Sequence, residues 1–262
     1  MRNILLTVSY DGTNFCGWQR QDKSDGGKPV RTVQGEIEKV LEKILKEKNS
    51  LQGSGRTDSG VHAVAQTANF KTSNESLPAN KFSVALNSLL PSDIRITESK
   101  EVSDDFSARF SATSRTYRYF IMPSHTAVAS QMPYVWDIKH EPDIDVLNKM
   151  ALCLRGEIDC ATFAASGDES LSTFRYIEDA HFFYQDASPC GRALVFEITA
   201  NAFLWKMVRS ITGSLIHFEK NGKDAEYFKA VLESHDRSKA GPTAPSTGLF
   251  LWSVSYDGIR RH

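Results

Sequence analysis

Residues 53–63 read GSGRTDSGVHA, so that one carboxylate, Asp58, stands in a short run bounded by glycines. Gly55 and Gly60 have no Cβ atom and allow backbone conformations that other residues avoid, which lets a ligand approach the main chain closely. Arg56 adds a fixed positive charge that favours the ionised form of Asp58, as a nucleophile or base requires. By itself, however, this run is more typical of a glycine-bounded turn with a solvated aspartate.

The segments on either side of this run alternate between strand and helix patterns. Apolar residues alternate from Ile4 to Tyr10 as in a half-buried strand, and apolar positions from Val33 to Leu45 fall on one face of a helix that Thr32 can cap. Further strands are predicted at 61–70, 94–102, 116–122, 192–199 and 249–256, and further helices at 81–90, 144–154, 203–218 and 225–233. A short polar stretch near 103–105 predicts a boundary between two α/β subdomains, 1–104 and 105–262.

Composition and charge restrict the classes of function. The 262 residues, of which 40% are hydrophobic, suffice to bury a core in one large or two small domains. Because the formal net charge is -1, a nucleic-acid partner would have to bind a local basic surface. The four cysteines form no Cys-x-x-Cys pair and lack the histidine spacing of a zinc site, so we expect reduced thiols and no bound metal. No basic segment leads into a long apolar run, so we expect no signal peptide, no membrane span and a cytoplasmic protein.

Aromatic and basic residues are interleaved after the first strand, in the segment YDGTNFCGWQRQ at residues 10–21. Its residues 11–14 are typical of a turn. Trp18 and Arg20 then combine a ring that stacks on an RNA base with a charge that holds phosphates, yet the ring of Trp18 can equally fill the core beneath the loop. For Phe15 we expect the core position. The charged, glycine-rich residues 22–28 are expected to form a mobile surface loop.

Two tyrosines lie two residues apart in a predicted strand. Tyr117 and Tyr119 therefore face one side of the sheet and Arg118 faces the other. A ring in this position either stacks on a base or packs across the strands in the core, and the core alternative suits Tyr119 better. Arg109 and Arg115 are each compatible with a phosphate contact or with an ordinary solvated charge.

Arg209 lies within an otherwise apolar predicted helix. A charge at such a position needs a carboxylate or phosphate partner, unless its head reaches solvent past its apolar neighbours. Gly213, one turn further on, removes bulk from the same stripe and lets another element approach the helix. We therefore expect a paired arginine at a close contact between two elements.

Other catalytic patterns are missing from the sequence. The histidines form no catalytic cluster, and His62, at the start of a predicted strand, is expected to pack in the core or to bind the backbone. There is no Gly-x-Ser-x-Gly elbow and no glycine-rich phosphate loop with a lysine. These absences argue against serine hydrolases and nucleoside triphosphatases.

Five motifs, in the family's order, resemble those of the tRNA pseudouridine synthases of the TruA type. They are YDGTNFCGWQRQ at 10–21, GRTDSGVHA at 55–63, ARFSA at 108–112 with YRY at 117–119, NAFL at 201–204 with MVR at 207–209, and AGPTAP at 240–245 with GLFLW at 248–252. The resemblance spans nearly the whole chain. A lone Arg-Thr-Asp-Ser-Gly would be a weak signal, but five ordered motifs are very specific.

The resemblance implies an α+β fold, in which two α/β subdomains join their mixed antiparallel sheets around a central active-site cleft. It implies isomerisation of uridine to pseudouridine at positions 38, 39 and 40 of the tRNA anticodon stem-loop, without a cofactor and by a homodimer. In the family's register Asp58 is the nucleophile or base, Tyr117 stacks on the target uracil, and Arg209 pairs with Asp58. The residues expected to contact the RNA are Arg56, Thr57, Trp18, Arg20, Arg118 and Leu249.

Several alternatives stay open at the level of sequence. Asp58 can attack C6 of the base, attack C1′ of the sugar, or remove a proton. The chain can also be an RNA-binding or chaperone module without turnover, although such a module has no need for both Asp58 and Arg209. A glycosidic-bond hydrolase usually needs a second carboxylate as acid, and none is adjacent to Asp58 in the sequence, although folding can bring one near.

Overall fold

The computed structural model describes residues 1–21, 30–187, 191–259 and 261, and this part of the chain contains ten strands and five α-helices. The strands are β1 Arg2–Tyr10, β2 Gln52–Gly53, β3 His62–Thr72, β4 Ile94–Val102, β5 Ser114–Met122, β6 Trp136–Asp137, β7 Gly156–Asp159, β8 Phe174–Asp186, β9 Arg192–Ala200 and β10 Leu249–Ser255. The helices are α1 Val33–Leu45, α2 Phe82–Asn87, α3 Ile144–Leu152, α4 Met207–Lys220 and α5 Ala225–Glu233. The surface loop predicted at 22–28 lies outside the described residues.

The chain forms two compact units. Unit 1 comprises Met1–Thr113 and Leu251–Gly258, and unit 2 comprises Ser114–Phe250 and Ile259–His262. The chain therefore leaves unit 1 after β4 and returns to it within β10. The subdomain boundary at 104–105 rests on the polar stretch of the sequence and stays a prediction.

Unit 1 is built around β1, which lies between β3 and β4 and is antiparallel to both. Ile4, Leu6, Val8 and Tyr10 are buried, as predicted, but Asn3 and Leu5 are buried as well, so only the second half of β1 alternates as a half-buried strand. β2 and β10 both pair with β3. Thr32 caps α1 as predicted, because its hydroxyl accepts a hydrogen bond from Gly35 N at 3.3 Å. α1 contacts α2, and α2 packs on β4.

Unit 2 contains four antiparallel strands in the order β5-β9-β8-β7, with β6 paired in parallel to β5. Asn148 fastens α3 to this sheet, since its amide accepts from Phe182 N at 2.7 Å and donates to Phe182 O at 3.1 Å. α3 in turn contacts α4 and α5, so the three helices pack together. The mixed strand pairing and the five helices confirm the predicted α+β fold.

Three strands of unit 2, the two-residue β6 together with β7 and β8, are absent from the sequence-based prediction. β8 pairs with β9 along most of its length, but a bulge between Ile177 and Asp179 shifts the register. Acidic residues are poor strand formers, and the bulge interrupts the alternation of apolar residues. The helical spacing and alternation patterns therefore give no clear signal there.

Three helices are shorter than predicted, among them α3, which ends at Leu152 rather than at 154. α2 ends at Asn87 rather than at 90. The side-chain amide of Asn87 is bonded to β4, where it accepts from Ile96 N and donates to Ile96 O, each at 2.8 Å. α4 begins at Met207 rather than at 203, because Lys206 has a φ of 58°. A left-handed residue cannot continue a right-handed helix, so the preceding residues form an irregular approach to it.

Candidate active site

The run that contains Asp58 forms the loop between β2 and β3 in unit 1. The start of this loop is bonded to β3, because Ser54 N donates to Thr67 O at 2.8 Å and Ser54 Oγ donates to Gln66 Oε1 at 2.5 Å. The amide nitrogen of Gln66 also donates to Gly55 O at 3.0 Å. The buried side chain of Gln66 thus fixes two consecutive residues of the loop.

The residues on either side of Asp58 are bonded to the segment that follows β1. Thr57 O accepts a hydrogen bond from Trp18 N at 3.1 Å, and Gly60 N donates to Phe15 O at 3.3 Å. The side chain of Asp58 is half-buried. The loop therefore holds this carboxylate on a backbone that is fixed immediately before it and two residues after it.

Glycines allow the segment after β1 to approach the loop this closely. A Cβ atom at Gly12 would lie 2.0 Å from Val61 O, and one at Gly17 would lie 2.6 Å from another carbonyl oxygen of the loop. Gly60 has a φ of 78°, which confirms the expectation that this position adopts a backbone conformation that residues with a Cβ atom avoid. Gly55 lies outside the left-handed region, and no atom of the described chain beyond its neighbours comes within 4 Å of where its Cβ would be. There is thus open space beside the main chain three residues before Asp58.

Trp18 packs inside unit 1, where its side chain is 2% exposed. Its indole lies against Gly53, at which a Cβ would come within 2.4 Å of the indole Nε1. Tyr10 packs 5.9 Å from the indole and is hydrogen-bonded through its hydroxyl to Thr57 Oγ1 at 2.8 Å. The expected stacking of Trp18 on RNA is therefore corrected to the core alternative. Phe15 is buried, as predicted.

The two arginines of unit 1 that were expected to contact RNA differ in their surroundings. Arg56 is exposed next to the catalytic candidate. Arg20 is paired with the buried carboxylate of Glu38 in α1, at 3.1 Å. Its guanidinium must leave that partner, or share it, before it can bind a phosphate.

Two residues that hold the loop, Gln66 and Tyr10, were missed by the sequence reasoning. Gln66 stands opposite Val8 in the β1–β3 register and is fully buried, so a polar residue at an inward strand position is the signal that identifies it. His62 is also buried, and its Nδ1 accepts a hydrogen bond from Gly12 N at 3.0 Å. It binds the backbone, as expected, next to the loop.

In unit 2, Tyr117 and Tyr119 lie on one face of β5. The ring of Tyr117 meets that of Phe203 edge to face, with centroids 5.0 Å apart. Tyr119 is fully buried, donates its hydroxyl to Pro245 O at 2.6 Å, and is the core tyrosine that was predicted. Burial raises the pKa of Tyr119, so its hydroxyl stays protonated and able to donate.

Arg118 faces the opposite side of β5 and is paired with Glu197 on β9, with Nε 2.5 Å from the carboxylate. Arg115 donates to Asn201 O at 2.7 Å. Leu249, which was expected to contact substrate, is buried at the start of β10. Its role toward RNA stays a prediction.

Arg209 is half-buried on α4, and a loop of unit 2 packs against it. Its Nε donates to Ala244 O at 2.8 Å, while Ala244 N donates to Arg209 O at 3.0 Å. A Cβ at Gly213 would lie 1.9 Å from Pro242 O. The close approach predicted from this glycine is therefore confirmed, and the segment 242–244 is the element that approaches. The expected pairing of Arg209 with Asp58 stays a prediction.

Among the described residues, no group of three or more histidine, cysteine or acidic side chains is arranged to hold a metal ion. The cysteines described, Cys16, Cys153 and Cys160, are free thiols, and burial raises the pKa of Cys160 to about 12. No helix in the described part of the chain is both long and apolar enough to cross a bilayer.

Comparison of the whole sequence with known protein families decides which family the chain belongs to. Residues 6–111 and 150–257 match the family described as tRNA pseudouridine synthase. The chain belongs to this family. The matched segments include the Asp58 loop of unit 1 and the whole of α4 in unit 2.

Individual relatives agree with this assignment. The chain is 56% identical to the tRNA pseudouridine synthase A of Treponema denticola, over 97% of this chain and 93% of that protein. It is 52% identical to the tRNA pseudouridine synthase A of Treponema pallidum, over 92% and 84% of the two chains. For the tRNA pseudouridine synthase A of Caldicellulosiruptor saccharolyticus the identity is 43%, over 98% and 100%. The predicted family and enzyme class are confirmed: the chain is an isomerase that converts uridine to pseudouridine in tRNA.

Proposed function

We propose that the enzyme modifies uridines 38, 39 and 40 in the anticodon stem-loop of tRNA, as a homodimer in the cytoplasm. The proposal rests on the five motifs in their family order and on relatives named tRNA pseudouridine synthase A that cover almost the full chain. Their length matches this chain closely, so the same set of elements is available to bind the same substrate.

The reaction sets three demands on the protein. The glycosidic bond between N1 and C1′ breaks, the uracil turns, and a bond forms between C5 and C1′, while C5 loses its proton and N1 gains one, with no net change of redox state. A carboxylate must serve as nucleophile or base, an aromatic ring must retain the detached uracil, and water must be kept from the reacting centre. We assign the first role to Asp58, the second to Tyr117, and to Arg209 the orientation of Asp58.

The anchoring of the Asp58 loop is the observation that carries this assignment. A nucleophile that has to reach one atom of a flipped nucleotide gains rate when its backbone is fixed before substrate binds. Hydrogen bonds fix the loop at Ser54, Gly55, Thr57 and Gly60, on both sides of the carboxylate. Asp58 therefore needs little reorganisation to act.

The residues of unit 2 are suited to their assigned roles. Tyr117 is held in place by the ring of Phe203, which restricts the motion of a stacking ring. Arg209 is held by Ala244 through its Nε, and this bond orients the guanidinium plane.

Among the arginines expected to bind RNA, the exposed Arg56 is the one we assign to a phosphate or ribose next to the target. Arg20 and Arg118 contribute less, because each is paired with a glutamate.

The test uses an unmodified tRNA transcript with uridines at positions 38, 39 and 40, and maps pseudouridine at nucleotide resolution after incubation with the purified enzyme. We expect product only in the anticodon arm, and none in a transcript whose three uridines are replaced by cytidine. Product confined to another arm would overturn the anticodon assignment.

Asp58→Asn tests the catalytic assignment in the same assay. The amide keeps the shape and hydrogen-bonding capacity of the side chain but has no nucleophilic charge, so single-turnover formation of pseudouridine should vanish while tRNA binding persists. Retained tRNA affinity shows that the variant is folded. Pseudouridine formation at the wild-type rate would refute the role of Asp58.

A further inference from the structure

The ARFSA motif forms a turn that presents an aromatic ring to solvent beside an arginine. Phe110 is 52% exposed. The guanidinium carbon of Arg109 lies 5.3 Å from the centre of this ring. Neither side chain has a part in the catalytic roles assigned above.

The backbone of this turn is fixed immediately before Arg109. Ala108 N donates a hydrogen bond to Asn69 Oδ1 at 2.8 Å, and Tyr256 OH donates to Ala108 O at 3.0 Å. Both polar groups of one buried residue are thus satisfied by side chains, one from β3 and one from the residue that follows β10. Such a turn presents Arg109 and Phe110 in a defined direction.

A buried pair of amides supports the same turn. Asn69 Nδ2 donates to Asn3 Oδ1 at 2.9 Å, and Asn3 Nδ2 donates to Ser103 O at 2.8 Å and to Phe106 O at 2.9 Å. Both asparagines are buried. Buried amides are costly unless they are hydrogen-bonded, and here most of their partners lie in the segment 103–108. If the turn moved, the two buried amides would lose most of their hydrogen-bond partners. The network therefore stabilises the turn in this position.

The turn shares its supports with the Asp58 loop. Ser107 Oγ donates to Gln52 Oε1 on β2, the strand that leads into that loop, at 3.1 Å. Thr67 of β3 is hydrogen-bonded through its hydroxyl to Tyr256 OH at 2.6 Å, and through its carbonyl oxygen to Ser54 at the start of the loop. Within unit 1, the exposed ring and the catalytic loop are fixed to the same two strands.

We propose that Phe110 stacks on an unpaired nucleobase of the tRNA substrate, with Arg109 at an adjacent phosphate, and that Asn69 and Tyr256 position this turn. The inference rests on the proposed role of the Asp58 loop, whose supports it shares. Exposed rings next to guanidinium groups suit single-stranded or flipped nucleotides, because the ring accepts any base and the charge binds the backbone. The arginine beside the ring favours RNA over an apolar protein partner, which would have to desolvate this charge.

The experiment measures tRNA affinity and the single-turnover rate at saturating enzyme for Phe110→Ala, Phe110→Trp and a control. Loss of one stacked base corresponds to an affinity weaker by roughly fivefold to 150-fold. We expect Phe110→Ala to raise Kd by a factor in this range with an unchanged rate at saturation, and Phe110→Trp to restore the affinity. Phe174→Ala is the matched control, because Phe174 is a phenylalanine of unit 2 that is 54% exposed, and its Kd should equal that of the wild type.

Two results would overturn the proposal. One is a wild-type Kd for Phe110→Ala. The other is a loss of affinity in Phe110→Ala that accompanies a change of sedimentation coefficient, which would make the ring part of an interface between two copies of the chain. Neither result depends on where pseudouridine forms, so failure of the anticodon assignment and failure of this inference are separate outcomes.

Tyr256→Phe tests the positioning role. This variant keeps the ring, which packs 4.9 Å from that of Phe106, and loses the hydroxyl that bonds Ala108. We expect a smaller rise in Kd than for Phe110→Ala, and no additional rise when both substitutions are combined. An equal rise in the wild-type and Phe110→Ala backgrounds would show that Tyr256 does not act through this turn.

Discussion

At the scale of single residues, the ring of Tyr117 provides the most direct test of base retention. Tyr117→Phe keeps the aromatic face that packs against Phe203, whereas Tyr117→Leu loses it. Since stacking on one base contributes about 1–3 kcal/mol, the Leu variant should form pseudouridine at least about fivefold more slowly than the Phe variant. Single-turnover assays that also record free uracil measure both the rate and the escape of the detached base. Equal rates in the Leu variant and the wild type would remove Tyr117 from the site.

Arg209 allows a test of coupling to Asp58. If its guanidinium orients the carboxylate, Arg209→Ala should slow the single-turnover reaction by about a hundredfold, the size of effect seen when a fixed donor is lost from an active site. In the Asp58→Asn background, the same substitution should have little further effect on the residual rate.

Arg209→Lys is the control for charge in this cycle. Lysine keeps the positive charge but lacks the planar group that Ala244 orients, so we expect a rate between those of the wild type and the Ala variant. If Arg209→Ala instead weakens tRNA binding with an unchanged rate at saturation, the arginine is a phosphate contact.

The position of a single residue can be predicted from the sequence when its neighbours in the chain determine it. It cannot be predicted when a residue far away in the sequence determines it. The glycine-bounded loop, the buried Phe15 and the backbone-bound His62 follow from short patterns. The position of Trp18 does not, because the space for its indole is provided by Gly53 on β2, which is distant in the sequence. A residue without a side chain gives no signal in the sequence that a ring lies against it.

At the scale of elements, α4 carries Arg209 and is held by the segment that packs on Gly213. Helix propensity alone predicts that Gly213→Ala stabilises the protein by about 1 kcal/mol. The structure predicts instead that Gly213→Ala destabilises the protein, since the added Cβ would lie 1.9 Å from Pro242 O. We expect a loss of about 1–3 kcal/mol in the free energy of unfolding, measured by urea denaturation, together with slower catalysis.

Gly55→Ala is the control for this substitution. The space around Gly55 is open and its φ lies outside the left-handed region, so the free energy of unfolding should change by less than about 0.5 kcal/mol. A stabilised Gly213→Ala variant would show that the segment 242–244 moves away from α4 without cost.

The helices that the sequence predicts best have regular spacing and a polar cap. α1 and α5 have the bounds that were expected, because helical spacing coincides there with a capping side chain, Thr32 and Asp224 respectively. β8 was missed because its bulge at Ile177 and Asp179 breaks the alternation. α4 starts late because Lys206 adopts a left-handed conformation, which local helix propensity does not predict.

At the scale of the whole molecule, the net charge of -1 means that tRNA cannot be attracted by a uniformly positive surface. Binding must come from a few basic side chains near the site, and the structure ranks them. Arg56 is exposed, whereas Arg20 and Arg118 are each neutralised by a glutamate. A small number of exposed arginines thus has to offset the cost of unstacking the target base, roughly a few kcal/mol.

The salt dependence of tRNA affinity tests this picture of the charge. Each phosphate contact releases counterions, so the logarithm of the association constant should fall linearly with the logarithm of salt concentration. Arg56→Gln should reduce the magnitude of this slope by about one, as expected when one contact is lost. Arg31→Gln is the control: it changes the net charge equally, but Arg31 is bound by both carboxylate oxygens of Asp93, at 2.7 and 2.9 Å. Its slope should equal that of the wild type. An equal fall in both variants would mean that overall charge, and not a contact at Arg56, governs binding.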